Sequence, residues 1–98
     1  MKFIYLLCLI KLIIMTEKEI FELVREMIAD YMSEISKEDI TLDSNLSYDI
    51  GMDSLDEITV ITEIEKRFNI VIDDDKWPDF ISVNDLVEEI VRCLDAKK

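Results

Sequence analysis

Residues 49–68 read DIGMDSLDEITVITEIEKRF, and the change of character at Asp53 decides what kind of chain surrounds it. Before Asp53 the sequence is irregular and holds Gly51, the chain's one glycine. A helix is announced next, with Asp53 or Ser54 as N-cap and with Asp56 and Glu57 in a first turn where the helix dipole favours negative charge. Leu55, Ile58, Ile61, Ile64 and Phe68 supply an apolar stripe, and Asn69 suits a helix terminus. Ser54 therefore stands at the mouth of a helix, flanked by carboxylates. A serine at that position is commonly only a cap, but the free N–H groups there also favour an anion, so a phosphate ester on its hydroxyl would be well placed.

Upstream, Thr16-Glu17-Lys18-Glu19 forms a capping box. Ile20, Leu23, Val24, Met27, Ile28, Tyr31 and Ile35 then recur at three- and four-residue spacing, which predicts an amphipathic helix ending near residues 33–36. The connection to Asp53 is SKEDITLDSNLSYDIGM, residues 36–52, pinned at intervals by Ile40, Leu42, Leu46 and Ile50. Loops of this length are uncommon in compact domains and often functional. Downstream, residues 73–79 (DDDKWPD) read as an irregular turn or single-turn helix that Pro78 should shorten or kink. A last helix begins at Ser82, with Asp85 completing a second box, and buries Val83, Leu86, Val87, Ile90 and Leu94. The expected fold is all-α: a small four-helix bundle with a short irregular third helix and a long loop between helices one and two.

Composition agrees. At 98 residues there is room for one domain, and one Gly with one Pro is too little punctuation for a turn-rich β fold. A balance of 23 acidic against 11 basic residues leaves −12, with no histidine to titrate near neutrality. Nucleic acid and anionic membranes would repel such a chain, whereas proteins with basic patches would be drawn to it. Cys8 and Cys93 lie far apart with no CxxC spacing, so neither a metal site nor a disulfide framework is indicated and a reducing, cytoplasmic setting fits. Cys93 reads as a small, partly buried hydrophobe.

Residues 1–15, MKFIYLLCLIKLIIM, do not match the rest: Lys2 and Lys11 are the only charges, and without them the balance is 9 basic against 23 acidic residues. Read as a secretory signal, the segment has Lys11 interrupting its apolar run and no A-x-A cleavage site after it. It is also shorter than the roughly 20 residues of a spanning helix. The alternative is a misassigned start or an extension outside the fold, with translation beginning at Met15 and a self-contained helical domain over 16–98.

Around Ser54 the chain resembles the acyl carrier proteins, whose attachment site is an Asp-Ser-Leu triplet at the start of the second helix, matched by Asp53-Ser54-Leu55. The similarity runs from Thr16 to about Leu94 and takes in the long first loop, the Ile50-Gly51 approach to the serine, Phe68 and Ile72. The resemblance implies that a separate phosphopantetheinyl transferase moves 4′-phosphopantetheine from coenzyme A to Ser54, after which the thiol carries acyl groups between enzymes of fatty acid or related biosynthesis. It implies no catalysis by the chain itself, a monomer, and a partner-binding surface supplied by Leu55, Asp56, Glu57, Glu63 and Glu65, facing basic and apolar patches on loading and synthase enzymes. Lys66 and Arg67 depart from the acidic residues that many family members have there, and Trp77 is large for its place, either lining an acyl cleft or capping the core.

Rival readings are weaker. Residues 43–49 (DSNLSYD) imitate the opening of a calcium loop, but Tyr48 stands where glycine is required and Ser54 where a bidentate glutamate is, so no metal site is expected. Asp49, Asp53 and Asp56 could in principle act as acid and base, yet there is neither a histidine nor room for a deep pocket. A plain interaction module is the better rival, and it would need no modification of Ser54.

Overall fold

The computed structural model describes residues 15–96, so the apolar opening segment, Cys8 included, lies outside the described residues apart from Met15. Three α-helices follow one another: α1 (Glu17–Tyr31), α2 (Ser54–Phe68) and α3 (Val83–Asp95). A 3-10 turn at Lys37–Asp39 interrupts the first connection, and a 3-10 segment at Asp74–Asp79 takes the place of the third helix. Helix α1 packs against both α2 and α3. Among the described residues no helix is long and apolar enough to cross a membrane.

Each α-helix opens on a reciprocal capping box, Thr16 with Glu19, Asp53 with Asp56 and Ser82 with Asp85, which satisfies amides that a helix start otherwise leaves unpaired. Asp53, not Ser54, is therefore the N-cap of α2. Helix α1 stops at Tyr31, short of the expected 33–36, because Met32 leaves helical geometry at ψ 78°. The turn that follows is closed by the Ile35 amide on the Met32 carbonyl at 3.1 Å, and it returns Ile35 to the core edge.

The core joins Ile20, Val24 and Ile28 of α1, Val60, Ile61, Ile64 and Phe68 of α2, and Val83, Leu86, Val87, Ile90 and Leu94 of α3. Leu55 and Ile58, expected in the α2 stripe, lie outside it at 70% and 46% exposure. Three-residue steps precess by about 60° on a helix of 3.6 residues per turn, so 55, 58 and 61 drift off one face, while 57, 60, 61, 64 and 68 stay together. Tyr31 is likewise 43% exposed instead of buried.

In the first connection Ile40, Leu46, Ile50 and Met52 are buried, whereas the expected anchor Leu42 is exposed and is held by its backbone, its carbonyl accepting the Asn84 amide at 3.0 Å. Arg25 of α1 donates through Nε and Nη2 to the Lys37 carbonyl at 3.2 and 2.7 Å. The loop is also stitched to the entry of α3 by Leu46 N–H to Ile81 O at 2.9 Å and Val83 N–H to Ser44 O at 3.1 Å.

The Asp74–Asp79 segment contains Pro78, as expected, and is clasped to α3 through Glu89, a buried carboxylate that meets Lys76 Nζ at 3.4 Å and also accepts from Arg92. Sequence periodicity does not single out Glu89. The Arg92 hydrogen bond, reinforced by Lys76, holds its carboxyl below the ordinary glutamate range despite burial. A carboxylate with a depressed folded pKa stabilises above its unfolded value and loses that contribution as pH falls through the folded one. Glu89→Gln should thus cost about 1–2 kcal/mol at pH 7, the lower part of the range for charged hydrogen bonds because Lys76 and Arg92 are partly solvated. In urea titrations the gap to wild type should stay constant above about pH 5 and close below the ordinary glutamate value of about 4.3.

Candidate functional site

Ser54 is the first residue of α2 and is exposed. Its neighbours on either side close the capping box: Asp53 Oδ1 accepts the Asp56 N–H at 2.8 Å, and Asp56 Oδ2 accepts the Asp53 N–H at 3.1 Å. The first-turn amides outside the box are those of Ser54 and Leu55. A phosphodiester on the Ser54 oxygen would lie next to both, at the positive end of the helix. The carboxylates around it are already turned onto backbone amides, which tempers their repulsion of another anion.

The approach to Ser54 is fixed by the loop. Asn45 Oδ1 accepts the Ser47 and Tyr48 amides at 2.9 and 2.8 Å, and Asp49 Oδ2 accepts the Asn45 amide at 2.7 Å. Asn45 and Asp49, two of the residues that imitate a calcium loop, thereby turn a side-chain oxygen onto the loop's own backbone. Among the described residues no cluster of His, Cys, Asp or Glu is arranged to hold a metal ion. Gly51 then turns at φ 85°, a left-handed conformation that L side chains rarely adopt. The Met52 amide rejoins the loop by donating to Leu46 O at 2.9 Å, one residue before the cap.

Beside the serine lies an open cleft of about 300 Å³ lined by Ser54, Glu57, Ile58, Ile61, Asp74, Trp77 and Pro78. Trp77 has two kinds of contact. It packs against the core, with Nε1 donating to the Ile72 carbonyl at 3.2 Å, and it walls this cleft. Partial burial pushes the Glu57 carboxyl above its ordinary range. A flexible arm on Ser54 therefore has an apolar recess within immediate reach, which is the observation that makes a phosphopantetheine fit here.

The other residues marked from the sequence separate into groups. Asp53, Leu55, Asp56 and Glu57 are gathered in the first turn, and Leu55 is prominently exposed. Glu63 is exposed but pairs with Lys66 at 3.7 Å, in the basic last turn that Lys66 and Arg67 give α2. Glu65 points back into the fold, where its Oε2 accepts the Ile72 amide at 2.8 Å and ties down the chain after Asn69. Missed from the sequence was the polar role of Tyr31, whose hydroxyl donates to Asp56 Oδ1 at 3.0 Å. The Asp53 amide, then the Tyr31 hydroxyl, hold the Asp56 carboxyl below the ordinary aspartate range.

Replacing Gly51 by Ala tests the approach. A Cβ there would meet no atom within 4 Å, so the cost is backbone strain alone, about 1–2 kcal/mol. Calorimetry should show the unfolding midpoint lowered by roughly 4–16 °C, given about 4–8 °C per kcal/mol for a domain this small.

The family description "phosphopantetheine attachment site" matches residues 22–90, which include Ser54 and its cleft. The chain is 35% identical over 82 residues to an acyl carrier protein of Cyanidium caldarium, covering 84% of this chain and 94% of that protein. It is 37% identical over 82 residues to one of Guillardia theta, covering 84% of this chain and all of that protein. An acyl carrier protein of Phytoplasma mali is 37% identical over 76 residues, covering 78% of this chain and 89% of its own length. Members of this family act as carriers and not as catalysts. The chain belongs to the acyl carrier protein family.

Proposed function

We propose that Ser54 bears the 4′-phosphopantetheine arm, transferred from coenzyme A by a separate transferase, and that the chain shuttles acyl thioesters between enzymes of fatty acid or related acyl synthesis. The observation that carries this reading is Ser54 at the first position of α2, exposed and opening directly onto the Trp77 cleft. Attachment needs three things there: a reachable hydroxyl, donors for the phosphate and somewhere for the cargo to rest. Asp53 and Leu55 flank the point of attachment.

The docking face is formed by Leu55, Asp56, Glu57 and Glu63, with Leu55 as the apolar contact and the carboxylates meeting basic patches on the transferase and on loading and synthase enzymes. Glu65, assigned to that face from the sequence, contributes less, since its carboxylate is engaged by Ile72. The net charge of −12 supports fast, salt-sensitive encounter with such partners and opposes self-association, so the carrier works as a monomer. The carrier unit begins at Thr16, the N-cap of α1, and the cysteine spacing, which offers no pairing motif, fits the cytoplasm.

Intact mass after incubation with coenzyme A and a phosphopantetheinyl transferase tests the attachment. Wild type should gain one pantetheine-sized increment and Ser54→Ala none. An unmodified wild type, or a modified Ala variant, would sink the assignment and favour a plain interaction module.

The cargo has its own reporter, because Trp77 is the chain's one tryptophan. Loading the modified carrier with a medium-length fatty acyl group should shift Trp77 emission to shorter wavelength as the cleft dries. Identical spectra before and after loading would place the cargo elsewhere.

A further inference from the structure

The carboxylate of Asp56 is gripped from two sides. Oδ2 accepts the Asp53 amide at the mouth of α2, and Oδ1 accepts the hydroxyl of Tyr31, the last residue of α1, twenty-five positions earlier in the chain. Tyr31 also borders two open clefts: one continues through Met32–Ile35, Asp49–Gly51 and Asp56, the other through Met27, Asp30, Glu63, Lys66 and Arg67. Its ring is therefore a partition in the groove beside the docking face, and its hydroxyl brings α1 into contact with Asp56.

An exposed aspartate in a first turn is ordinarily free to change rotamer, and freezing it on association weakens binding by roughly 2–12-fold. With one acceptor position on each oxygen already used, the Asp56 carboxylate is frozen beforehand, and its remaining lone pairs keep a set direction. That is a preorganised receptor for a guanidinium or ammonium group. Phenylalanine at 31 would keep the ring and release Oδ1, leaving Oδ2 alone on the Asp53 amide.

We propose that Tyr31 is a positioning residue for enzyme docking: its hydroxyl fixes the Asp56 carboxylate in the orientation that receives a basic side chain of the enzymes acting on Ser54. The inference rests on the reading of Ser54 as the attachment point and of Asp56 as part of the docking face. It extends the recognition surface from α2 onto the end of α1.

Steady-state kinetics of phosphopantetheine transfer to the full-length unmodified chain, with coenzyme A and a purified transferase, test it. Tyr31→Phe should raise the KM for the carrier about 3–10-fold, leave kcat within about two-fold, and move the thermal midpoint by no more than a few degrees. Asp56→Asn should raise KM by itself, and adding Tyr31→Phe to it should change KM no further, because no charge is left to position. An unchanged KM in Tyr31→Phe overturns the inference, as does an effect that persists undiminished in the Asp56→Asn background or one confined to kcat. Failure of the wild-type chain to be modified would instead overturn the Ser54 assignment, and this inference with it.

Discussion

Twenty-two residues, 32–53, connect α1 to α2 with only one 3-10 turn among them, and the polar backbone of that connection has to be satisfied without a continuous helix or a sheet. The bundle depends on how this is done. Ser44 is buried, its hydroxyl accepts the Thr41 amide at 2.9 Å, and its carbonyl takes the Val83 amide at the entry of α3. Ile40, Leu46, Ile50 and Met52 fill the core between these bonds. The connection thus behaves as a packed layer, and it delivers the chain to Asp53 at a defined position relative to α3. Were it merely a tether, α2 could still form, but the serine at its mouth would have no fixed relation to the Asp74–Asp79 segment across the cleft.

Charge adds a second constraint. A chain at −12 repels itself on folding, a cost that its core must outweigh, and the acidic residues are distributed so that many of them find a local partner. Glu19, Asp56 and Asp85 close capping boxes, Asp49 closes a turn, Glu65 holds Ile72, and Glu89 joins the 3-10 segment to α3. What remains exposed at the start of α2 is a smaller, oriented subset. Acidity here is structural first, and the docking role proposed for Asp56 would draw on a carboxylate that already closes a cap.

Much of this was legible in the sequence for a definite reason. Capping boxes, three- and four-residue periodicity and a proline in the third segment are local signals, and the helices at 17–31, 54–68 and 83–95 formed close to where those signals put them. The Asp53-Ser54-Leu55 triplet was legible because it lies at one such helix start and matches the attachment triplet of the family the chain resembles. Errors arose where two elements meet. Leu55 and Ile58 counted as stripe residues until the phase of α2 was fixed by its neighbours, and Glu89 went unmarked because its partner Lys76 comes from the separate 3-10 segment. Tyr31 read as a core residue, yet its hydroxyl spans twenty-five positions to Asp56, a relation that no periodicity encodes.

Gly51 carries a last implication. Its place in the fold is open on the side where a side chain would project, so the requirement there is for handedness and not for smallness. A residue of the opposite chirality favours positive φ, so a D-alanine introduced by chemical ligation would escape the backbone penalty that an L side chain meets there and would narrow the unfolded chain's choices. The route to the serine mouth thus passes through a dihedral angle that glycine adopts freely and an L side chain adopts only at a cost.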